Sequence, residues 1–411
     1  MASKRQSGPR VDTALRAVPA GGLLSQIEGL PVNDLPRISW NESGKPLSAL
    51  WRSERGAPPP GRVVIADDSL RADAAYRLAS GGTAILWRGD FNNARQLLQA
   101  ISRRLERTRR RAKRKNTKAM PSLTGAFHLH RQKQAQRARV LGKLLVTLDS
   151  DYRMPLLHAP DVQEACLEAY GPGDRAFVIS LRELLGLIGA HEWRKKGVPI
   201  PALGDRIHPH YGVFSPIRGE YVALVAKAPL PSLQVAFDIG TGTGVLAAVL
   251  ARRGVVRVVA TDQDARALAC ARENIARLGV SGQVEVVCAD LFPEDRAPLI
   301  VCNPPWIPAR PSSPLEHAVY DPGSCMLLGF INGLAAHLEP GGEGWLILSD
   351  IAERLGLRTR NEVLKAIDMA GLKVAGRLDV RPHHPKTLDA TDPLHAARAA
   401  EITSLWRLTV R

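Results

Sequence analysis

The chain has 411 residues, 45% of them hydrophobic and 23% charged, and 56 Lys and Arg against 40 Asp and Glu give it a net charge of +16. This length and composition are typical of a soluble globular protein with about two or three domains. No apolar run reaches the roughly 18 residues that a membrane span needs, and the N-terminal residues lack the apolar core of a secretory signal. We therefore predict a cytoplasmic protein.

Cysteine and histidine usage indicates neither a disulfide framework nor a metal site. The five cysteines include no CxxC pair, which favours reduced, mostly buried thiols. The 11 histidines show neither the HExxH pattern nor metal-ligand spacing with cysteine. We predict no metal.

The positive charge is concentrated in one part of the chain. Residues 103–143 hold 15 Lys and Arg against one acid, Glu106, and so account for +14 of the total. Residues 201–411 hold 22 Lys and Arg against 22 Asp and Glu, which sum to zero. Nucleic-acid enzymes usually spread positive charge around the cleft. We therefore expect the most basic part, residues 103–118, to lie outside the catalytic cleft.

The N-terminal part begins with a stretch rich in Pro, Gly and Ser, residues 1–60, which predicts a poorly ordered tail with anchors at Trp40 and Trp51. Residues 61–196 predict a small α+β domain. Its basic segment, 103–118, has no apolar face and is expected to fray from the end of a helix into a solvated arm. The predicted strands are 62–67, 83–89, 143–149 and 176–180, and the predicted helices are 69–79, 91–107, one from about 131, 161–170 and 181–196.

The pattern of apolar and polar residues changes in the C-terminal part of the chain. Residues 197–232 predict a linker, with a β-hairpin at 197–216 and a helix at about 218–228. From 233 to 411, five β-branched apolar runs alternate with helical stretches, and the runs 372–380 and 401–409 read as a terminal pair of strands. This pattern predicts a doubly wound, Rossmann-like α/β domain of seven strands.

A glycine-rich turn closes the first strand of this domain. The turn reads Asp238-Ile-Gly240-Thr-Gly242-Thr-Gly244, which is neither the GxGxxG of dinucleotide binders nor a P-loop. The next strand ends in Asp262, where a carboxylate can accept hydrogen bonds from both hydroxyls of a ribose. The third strand ends in Asp290, which could accept from the amino group of an adenine. Ligands of α/β sheets bind at these carboxyl strand ends.

The fourth strand ends abruptly in the sequence Asn303-Pro304-Pro305-Trp306. Proline cannot donate to a sheet ladder, so the strand must stop in a rigid corner tipped by an aromatic ring. The corner lies beside the glycine turn in the predicted sheet.

The glycine turn, the two acids and the NPPW corner together resemble the class I S-adenosylmethionine-dependent methyltransferases, over about residues 195–411. The resemblance implies that S-adenosylmethionine is the cofactor and that the corner acts on nitrogens conjugated to a planar π-system. Asn303 and Pro304 would accept hydrogen bonds from the nitrogen and aim its lone pair at the methyl group, and Trp306 would stack on the acceptor. The implied cofactor contacts are Phe214, Arg218, Asp238, Gly240, Thr241, Gly242, Gly244, Asp262, Gln263, Asp290 and Leu291.

Within that superfamily, residues 212–225, GVFSPIRGEYVALV, resemble the stretch before the glycine turn of release-factor glutamine methyltransferases. Phe214, Pro216, Arg218 and Glu220 align, while the threonine of the family motif is absent. After NPPWI the match fades, and the N-terminal domain does not resemble the short helical bundle of that family.

The acceptor remains open among classes that present a planar nitrogen. Residues 201–411, which carry the predicted catalytic site, have no net charge. This argues against DNA adenine and RNA as the main substrates of the cleft. Glu316 and Asp321 follow the corner and would pair well with a guanidinium. We therefore favour an amide or guanidino group of an amino acid or protein side chain, free arginine being one candidate, with contacts from Pro305, Glu316, Tyr320 and Asp321. The alternative is an exocyclic amine of RNA, with the basic segment holding phosphates.

Overall fold

A computed structural model describes residues 36–115, 122–311, 314–382 and 389–411 of the chain. Two mixed β-sheets organise it, six strands in the N-terminal part and seven in the C-terminal part, and a two-stranded hairpin lies between them in sequence. Residues 36–411 cluster as one compact unit. Among the described helices, none combines the length and the apolar composition that crossing a membrane requires.

The N-terminal sheet has the strand order β1-β2-β6-β5-β4-β3, with parallel pairing of β3 with β4, β4 with β5 and β2 with β6. It confirms the predicted α+β pattern, and the predicted strands and helices reappear within a few residues, apart from the differences given below. The elements are β1 (Arg37–Glu42), β2 (Lys45–Arg52), β3 (Val63–Ala66), α1 (Ala72–Ser80), β4 (Ala84–Trp87), α2 (Phe91–Lys115), α3 (Leu123–Leu141), β5 (Leu144–Leu148), α4 (Gln163–Tyr170), β6 (Phe177–Ser180) and α5 (Leu181–Lys196).

The predicted tail at 1–60 is wrong for its second half, because residues 37–52 form the antiparallel pair β1 and β2. Ile38 and Trp51 are buried in the core of the N-terminal sheet. The Arg88 guanidinium binds both carboxylate oxygens of Glu42, at 2.9 Å each, and ties β1 to the end of β4. The Pro-rich stretch after residue 55 dominated the composition and hid two short strands. Residues 1–35 lie outside the described residues.

Helix α2 also differs from expectation, since it continues to Lys115 rather than fraying after residue 107. Long, unbranched Arg and Lys side chains favour helix, so an apolar face is not needed for the backbone to continue. Residues 116–118 of the basic segment lie outside the described residues. Helix α3 begins at Leu123, earlier than predicted, where the Ser122 hydroxyl caps it by accepting from the Gly125 N–H at 3.1 Å.

The predicted hairpin and linker helix are confirmed, as β7 (Val198–Ile200), β8 (Asp205–Ile207) and α6 (Glu220–Lys227). The C-terminal sheet then follows the order β11-β10-β9-β12-β13-β15-β14, with β15 antiparallel to both neighbours. This confirms the predicted doubly wound sheet and its terminal pair of strands, of which β15 alone runs against the others. Its elements are β9 (Val235–Ile239), α7 (Val245–Arg252), β10 (Arg257–Asp262), α8 (Ala265–Arg277), β11 (Val284–Cys288), β12 (Ala297–Cys302), α9 (Pro314–His317), α10 (Cys325–His337), β13 (Leu338–Ser349), α11 (Ile351–Arg354), α12 (Arg360–Met369), β14 (Leu372–Val380), α13 (His395–Ala399) and β15 (Thr403–Val410).

The sheet brings the predicted site together. Strands β9 and β12 are hydrogen-bonded neighbours at its centre, and β10 lies on the other side of β9. The turn after β9 and the corner after β12 therefore lie side by side at the carboxyl edge, where the strand order reverses. Open α/β sheets bind their ligands at that point.

Candidate active site

The glycine turn holds its backbone in a shape that few other residues adopt. Gly240 has φ 69° and Gly242 has φ 56°, both in the left-handed region. A Cβ built on Gly240 would collide with the Met326 side chain, whereas one built on Gly242 meets nothing within 4 Å. The backbone at Gly242 thus faces open space, where a ligand can approach it closely.

Asp238 stabilises the glycine turn through hydrogen bonds to its side chain. Its fully buried carboxylate accepts from the Thr241 hydroxyl at 2.6 Å and from the Ala247 N–H at 3.0 Å. Burial raises the pKa of Asp238 to about 6, against the lowering effect of these two hydrogen bonds. The first turn of α7 and the glycine turn are therefore joined through one carboxylate.

Asp262 ends β10 beside the turn. Its carboxylate accepts from the Gly242 N–H and from the Asp264 N–H, each at 3.0 Å. Burial raises the pKa of Asp262, and the two N–H groups oppose that rise. These two backbone N–H groups hold the Asp262 carboxylate in one orientation, and the side chain lines the cavity.

A single cavity of about 510 Å³ joins the turn to the corner. It brings together most of the predicted site residues. Those that line it are Phe214, Arg218, Asp238, Gly240, Thr241, Gly242, Asp262, Gln263, Leu291, Asn303, Pro304, Pro305, Trp306 and Tyr320.

Four predicted residues are not among those lining the cavity. Gly244 begins α7, and a Cβ there would lie 3.3 Å from the Ala271 Cα, so its part is close packing of α7 on α8. Asp290 is exposed and accepts from the Gln263 amide at 3.1 Å. The Glu316 carboxylate lies 3.6 Å from the Arg131 guanidinium of α3.

Asp321, the fourth of them, caps a helix instead. Its buried carboxylate accepts from the N–H groups of Met326 at 3.2 Å and Leu327 at 3.1 Å, in the first turn of α10. This arrangement satisfies donors that a helix N-terminus leaves without partners. The predicted contact of Asp321 with a substrate guanidinium is not supported, because the helix takes up the carboxylate.

The corner is held by its own aromatic residue. The Trp306 indole N–H donates to the Asn303 side-chain oxygen at 2.9 Å. The Arg218 guanidinium lies 5.2 Å from the centre of the Trp306 ring. Trp306 is therefore fixed between its neighbours, and it orients the Asn303 amide as well as offering a face to the cavity.

Arg218 is itself anchored rather than free to follow a ligand. It donates to Glu220 at 2.8 Å and to the buried Glu401 at 3.0 Å, and Glu401 also accepts from the Ser349 hydroxyl at 2.6 Å. Burial lowers the pKa of Arg218, but the two carboxylates more than offset this and the pKa rises. Arg218 lines the cavity and also lies against Trp306, so its predicted contact with the cofactor stays a prediction.

Helix α3 of the N-terminal part closes the end of the cavity that holds Asn303 and Trp306, which we call the acceptor end. Phe127 is buried with Leu355 and Leu394, and the side chains of Trp306 and Tyr320 pack against this cluster. The Thr124 hydroxyl donates to the Leu355 carbonyl at 2.7 Å.

Three further contacts of α3 come from Arg131. Its guanidinium lies 3.9 Å from the centre of the Tyr320 ring and donates to the Arg310 carbonyl at 2.6 Å, in addition to facing Glu316. Sequence reasoning missed Phe127, His130, Arg398 and Glu401 as cavity residues, because no local pattern marks them. No group of three or more His, Cys, Asp or Glu suited to a metal occurs among the described residues.

Comparisons with known proteins agree with this geometry. Residues 206–357 match the family model of the methyltransferase small domain. The release factor glutamine methyltransferase of Cereibacter sphaeroides is 34% identical over 195 residues, which are 44% of this chain and 65% of that protein. A ribosomal protein L11 methyltransferase of Pelotomaculum thermopropionicum is 38% identical over 34% of this chain and 39% of its own length. A tRNA1(Val) (adenine(37)-N6)-methyltransferase of Bacteroides fragilis is 41% identical over 21% of this chain and 38% of its own length.

The chain thus spans between about two fifths and two thirds of the length of these relatives. The cofactor of such domains, S-adenosylmethionine, fits the residues present: an open backbone at Gly242, and the Asp262 carboxylate fixed beside it. The strand order, the glycine turn and the family match agree on one identification. The C-terminal half of this chain has the Rossmann-like fold of class I methyltransferases, and residues 206–357 within it match the methyltransferase small domain.

Proposed function

We propose that the protein is an S-adenosylmethionine-dependent N-methyltransferase whose acceptor is the neutral carboxamide of a protein side chain. One observation carries the proposal: the Asn303 side-chain oxygen lies in the cavity that the glycine turn lines, and the Trp306 indole holds it in place at 2.9 Å. A fixed amide oxygen at this point suits a planar N–H group.

The residues of the corner would orient the acceptor nitrogen. An amide oxygen has two lone pairs, and Trp306 uses one of those on Asn303, which leaves the other for an N–H of the acceptor. The Pro304 carbonyl offers a second acceptor, and the Pro304-Pro305 backbone is rigid. Two such hydrogen bonds pull the nitrogen out of conjugation and aim its lone pair. S-adenosylmethionine supplies the electrophilic methyl group when bound beside Asp262 and Gly242. The rate gain comes from orientation and preorganised dipoles.

The charges around the acceptor end favour a neutral amide over a guanidinium. Glu316 and Asp321, the acids expected to receive a guanidinium, are engaged with Arg131 and with helix α10. Among the described residues that line the acceptor end, Glu401 carries a carboxylate, and this carboxylate accepts a hydrogen bond from Arg218. Arg398 also lines the cavity, and it is paired with Asp392 at 2.8 Å. A guanidinium acceptor would have to compete with these existing partners for a carboxylate, whereas a neutral amide needs none.

Two of the relatives support a protein acceptor, since their names specify a glutamine of a release factor and ribosomal protein L11. The apolar wall of Phe127, Ile307 and Leu394 suits a slender side chain. A second candidate is an exocyclic amine of RNA, which the basic helices α2 and α3 favour and which matches the tRNA adenine named for another relative.

Methyl transfer from radiolabelled S-adenosylmethionine tests the proposal. The acceptors are glutamine- and asparagine-containing peptides, free arginine and total cellular RNA, together with extract proteins from cells that lack the enzyme. We expect label in protein, removable by protease and not by ribonuclease, and acid hydrolysis should release methylamine from the modified amide. Label in RNA alone would establish the second candidate instead. Label in arginine would contradict the argument from charge.

A further inference from the structure

Helix α2 carries a row of arginines on one face. Arg103, Arg107, Arg110 and Arg114 are spaced by four, three and four residues, so the four positions share one face of a continuous α-helix. We call these four residues the arginine stripe. At 1.5 Å per residue it runs along about 16 Å of the helix.

The stripe lies opposite the face that α2 buries. The described members, Arg103 and Arg107, are exposed. The buried side chains of this helix are those of Phe91, Ala94, Leu97, Leu98 and Ile101, about half a turn away from Arg103. The folding of the N-terminal part therefore does not depend on the stripe, and the repetition of one residue type along one face has no structural need behind it.

Little negative charge accompanies the stripe. Helices α2 and α3 together hold 14 Lys and Arg and one acid, Glu106. Glu106 is paired with Arg137 of α3 at 3.0 Å, so it is not directed at the stripe. The row consists of arginine alone, whose planar guanidinium matches phosphate oxygens in a bidentate geometry.

The helix that carries the stripe contacts α3, the helix that closes the acceptor end. Arg137 of α3 contacts Ser102 of α2 at 2.7 Å as well as Glu106, which fixes where the two helices meet. From this meeting point α2 continues to Lys115 and the chain returns as α3 from Leu123, whose first turns contact the methyltransferase domain. Eight residues separate Lys115 from Leu123, so the two Cα atoms lie within about 29 Å. Helix α2 is therefore joined to α3 both by these side-chain contacts and by a short connection in sequence.

We propose that the arginine stripe is a docking surface for the phosphate backbone of single-stranded RNA. A protein interface would need apolar or aromatic anchors at its centre, and the stripe has none. Arginines that recur on one face of a helix suit a polymer that carries a phosphate on every unit. We commit to single-stranded RNA, because a flexible strand can follow a row of positive charge along a helix, whereas a duplex is too rigid to do so. This surface does not depend on which nitrogen is methylated.

Fluorescence anisotropy with a labelled oligouridylate of about 20 nucleotides tests the proposal in the full-length protein. The test variant replaces all four stripe arginines by glutamine. The matched control replaces Lys45, Arg296, Lys365 and Lys373 by glutamine, which removes the same charge from exposed positions elsewhere. We expect the stripe variant to bind RNA at least about tenfold more weakly, and the control within about twofold of wild type. The slope of log K against log salt should fall by about 3 in the stripe variant, since four contacts to a single strand are lost.

Circular dichroism and S-adenosylmethionine affinity show whether the variants fold. If the fourfold variant does not fold, the double variant Arg103→Gln/Arg107→Gln replaces it. The slope of log K against log salt should then fall by about 1.4. Equal RNA binding by stripe variant and wild type would overturn the proposal. So would equally large losses in stripe variant and control, or equally tight binding of polyglutamate. Oligothymidylate binding as tightly as oligouridylate would overturn the choice of RNA.

Discussion

The Asn303 amide receives one hydrogen bond from within the corner, from the Trp306 indole, and this changes what each residue does. The NPPW sequence predicts that Asn303 accepts a hydrogen bond from the substrate nitrogen and that Trp306 stacks on the substrate. It predicts these as two separate contributions. In the structure the two side chains are coupled, because the indole fixes the amide oxygen that we propose as the contact with the substrate. Trp306 is therefore a positioning residue as well as a stacking surface.

The substitution Trp306→Phe separates these two contributions, because it keeps an aromatic face and removes the N–H donor. We expect kcat to fall about tenfold or more, because the amide loses its fixed orientation, with little change in KM for the acceptor. Steady-state kinetics on the acceptor found in the transfer assay measure this. A variant that raises KM while keeping kcat would show that stacking alone matters.

We predict that the buried Asp238 carboxyl makes cofactor binding depend on pH. Burial raises its pKa to about 6, so it is protonated at lower pH and negative at higher pH. S-adenosylmethionine is a cation, and we expect its affinity to be about tenfold weaker at pH 5 than at pH 7. Calorimetric titrations at both values measure the change. Asp238→Asn keeps a side-chain oxygen for Thr241 and Ala247 and should lose most of the dependence, and an unchanged pH profile in this variant would exclude Asp238 as its source.

At the scale of elements, helix α3 has the least expected position. It belongs to the N-terminal part in sequence, yet Phe127 and Arg131 close the cavity of the methyltransferase domain. Arg131 binds the segment after the corner at three points, at Arg310, Glu316 and Tyr320. The helix therefore holds that segment at the acceptor end of the cavity.

We predict that Arg131→Met raises KM for the acceptor about five- to thirtyfold, since it removes one charge-assisted hydrogen bond and one ion pair while keeping the aliphatic stem. The affinity for S-adenosylmethionine should stay within about twofold, because α3 does not touch the glycine turn. Arg139→Met, in an exposed position of the same helix, is the matched control. A loss of cofactor affinity as large as the change in KM would contradict this division.

Local patterns allowed the cofactor half to be predicted and left the acceptor half incomplete. Asp238, Gly242 and Asp262 lie at strand ends that neighbour one another by the rules of a doubly wound sheet, so strand order alone brings them together. Phe127 and Glu401 meet the corner only through the packing of distant segments, which no spacing in the sequence encodes. Glu316 and Asp321 were assigned to the substrate from their charge, whereas the structure engages them with Arg131 and α10. The strands at 37–52 were missed because a Pro-rich neighbourhood masked their alternation.

The whole molecule divides the work between its two sheets. The C-terminal sheet supplies the cofactor end and the corner, and the N-terminal part supplies the closing helix and the basic helices. The chain's net charge of +16 comes almost entirely from α2, α3 and their surroundings, while residues 201–411 are neutral. The proposed chemistry and the proposed RNA docking therefore belong to different parts of the chain, and we expect that each can be altered without the other.

The central claim is that one cavity has a cofactor end and a separate acceptor end. Calorimetric titration with S-adenosylmethionine tests it on the wild type, Asp262→Ala and Asn303→Ala. Removing the Asp262 carboxylate leaves two ribose hydroxyls without a partner, so its affinity should fall by about 1–3 kcal/mol. Asn303→Ala should bind the cofactor within about twofold of wild type, although its methyl transfer falls about 100-fold or more. Undiminished affinity in Asp262→Ala, or an equal loss in Asn303→Ala, would contradict the account.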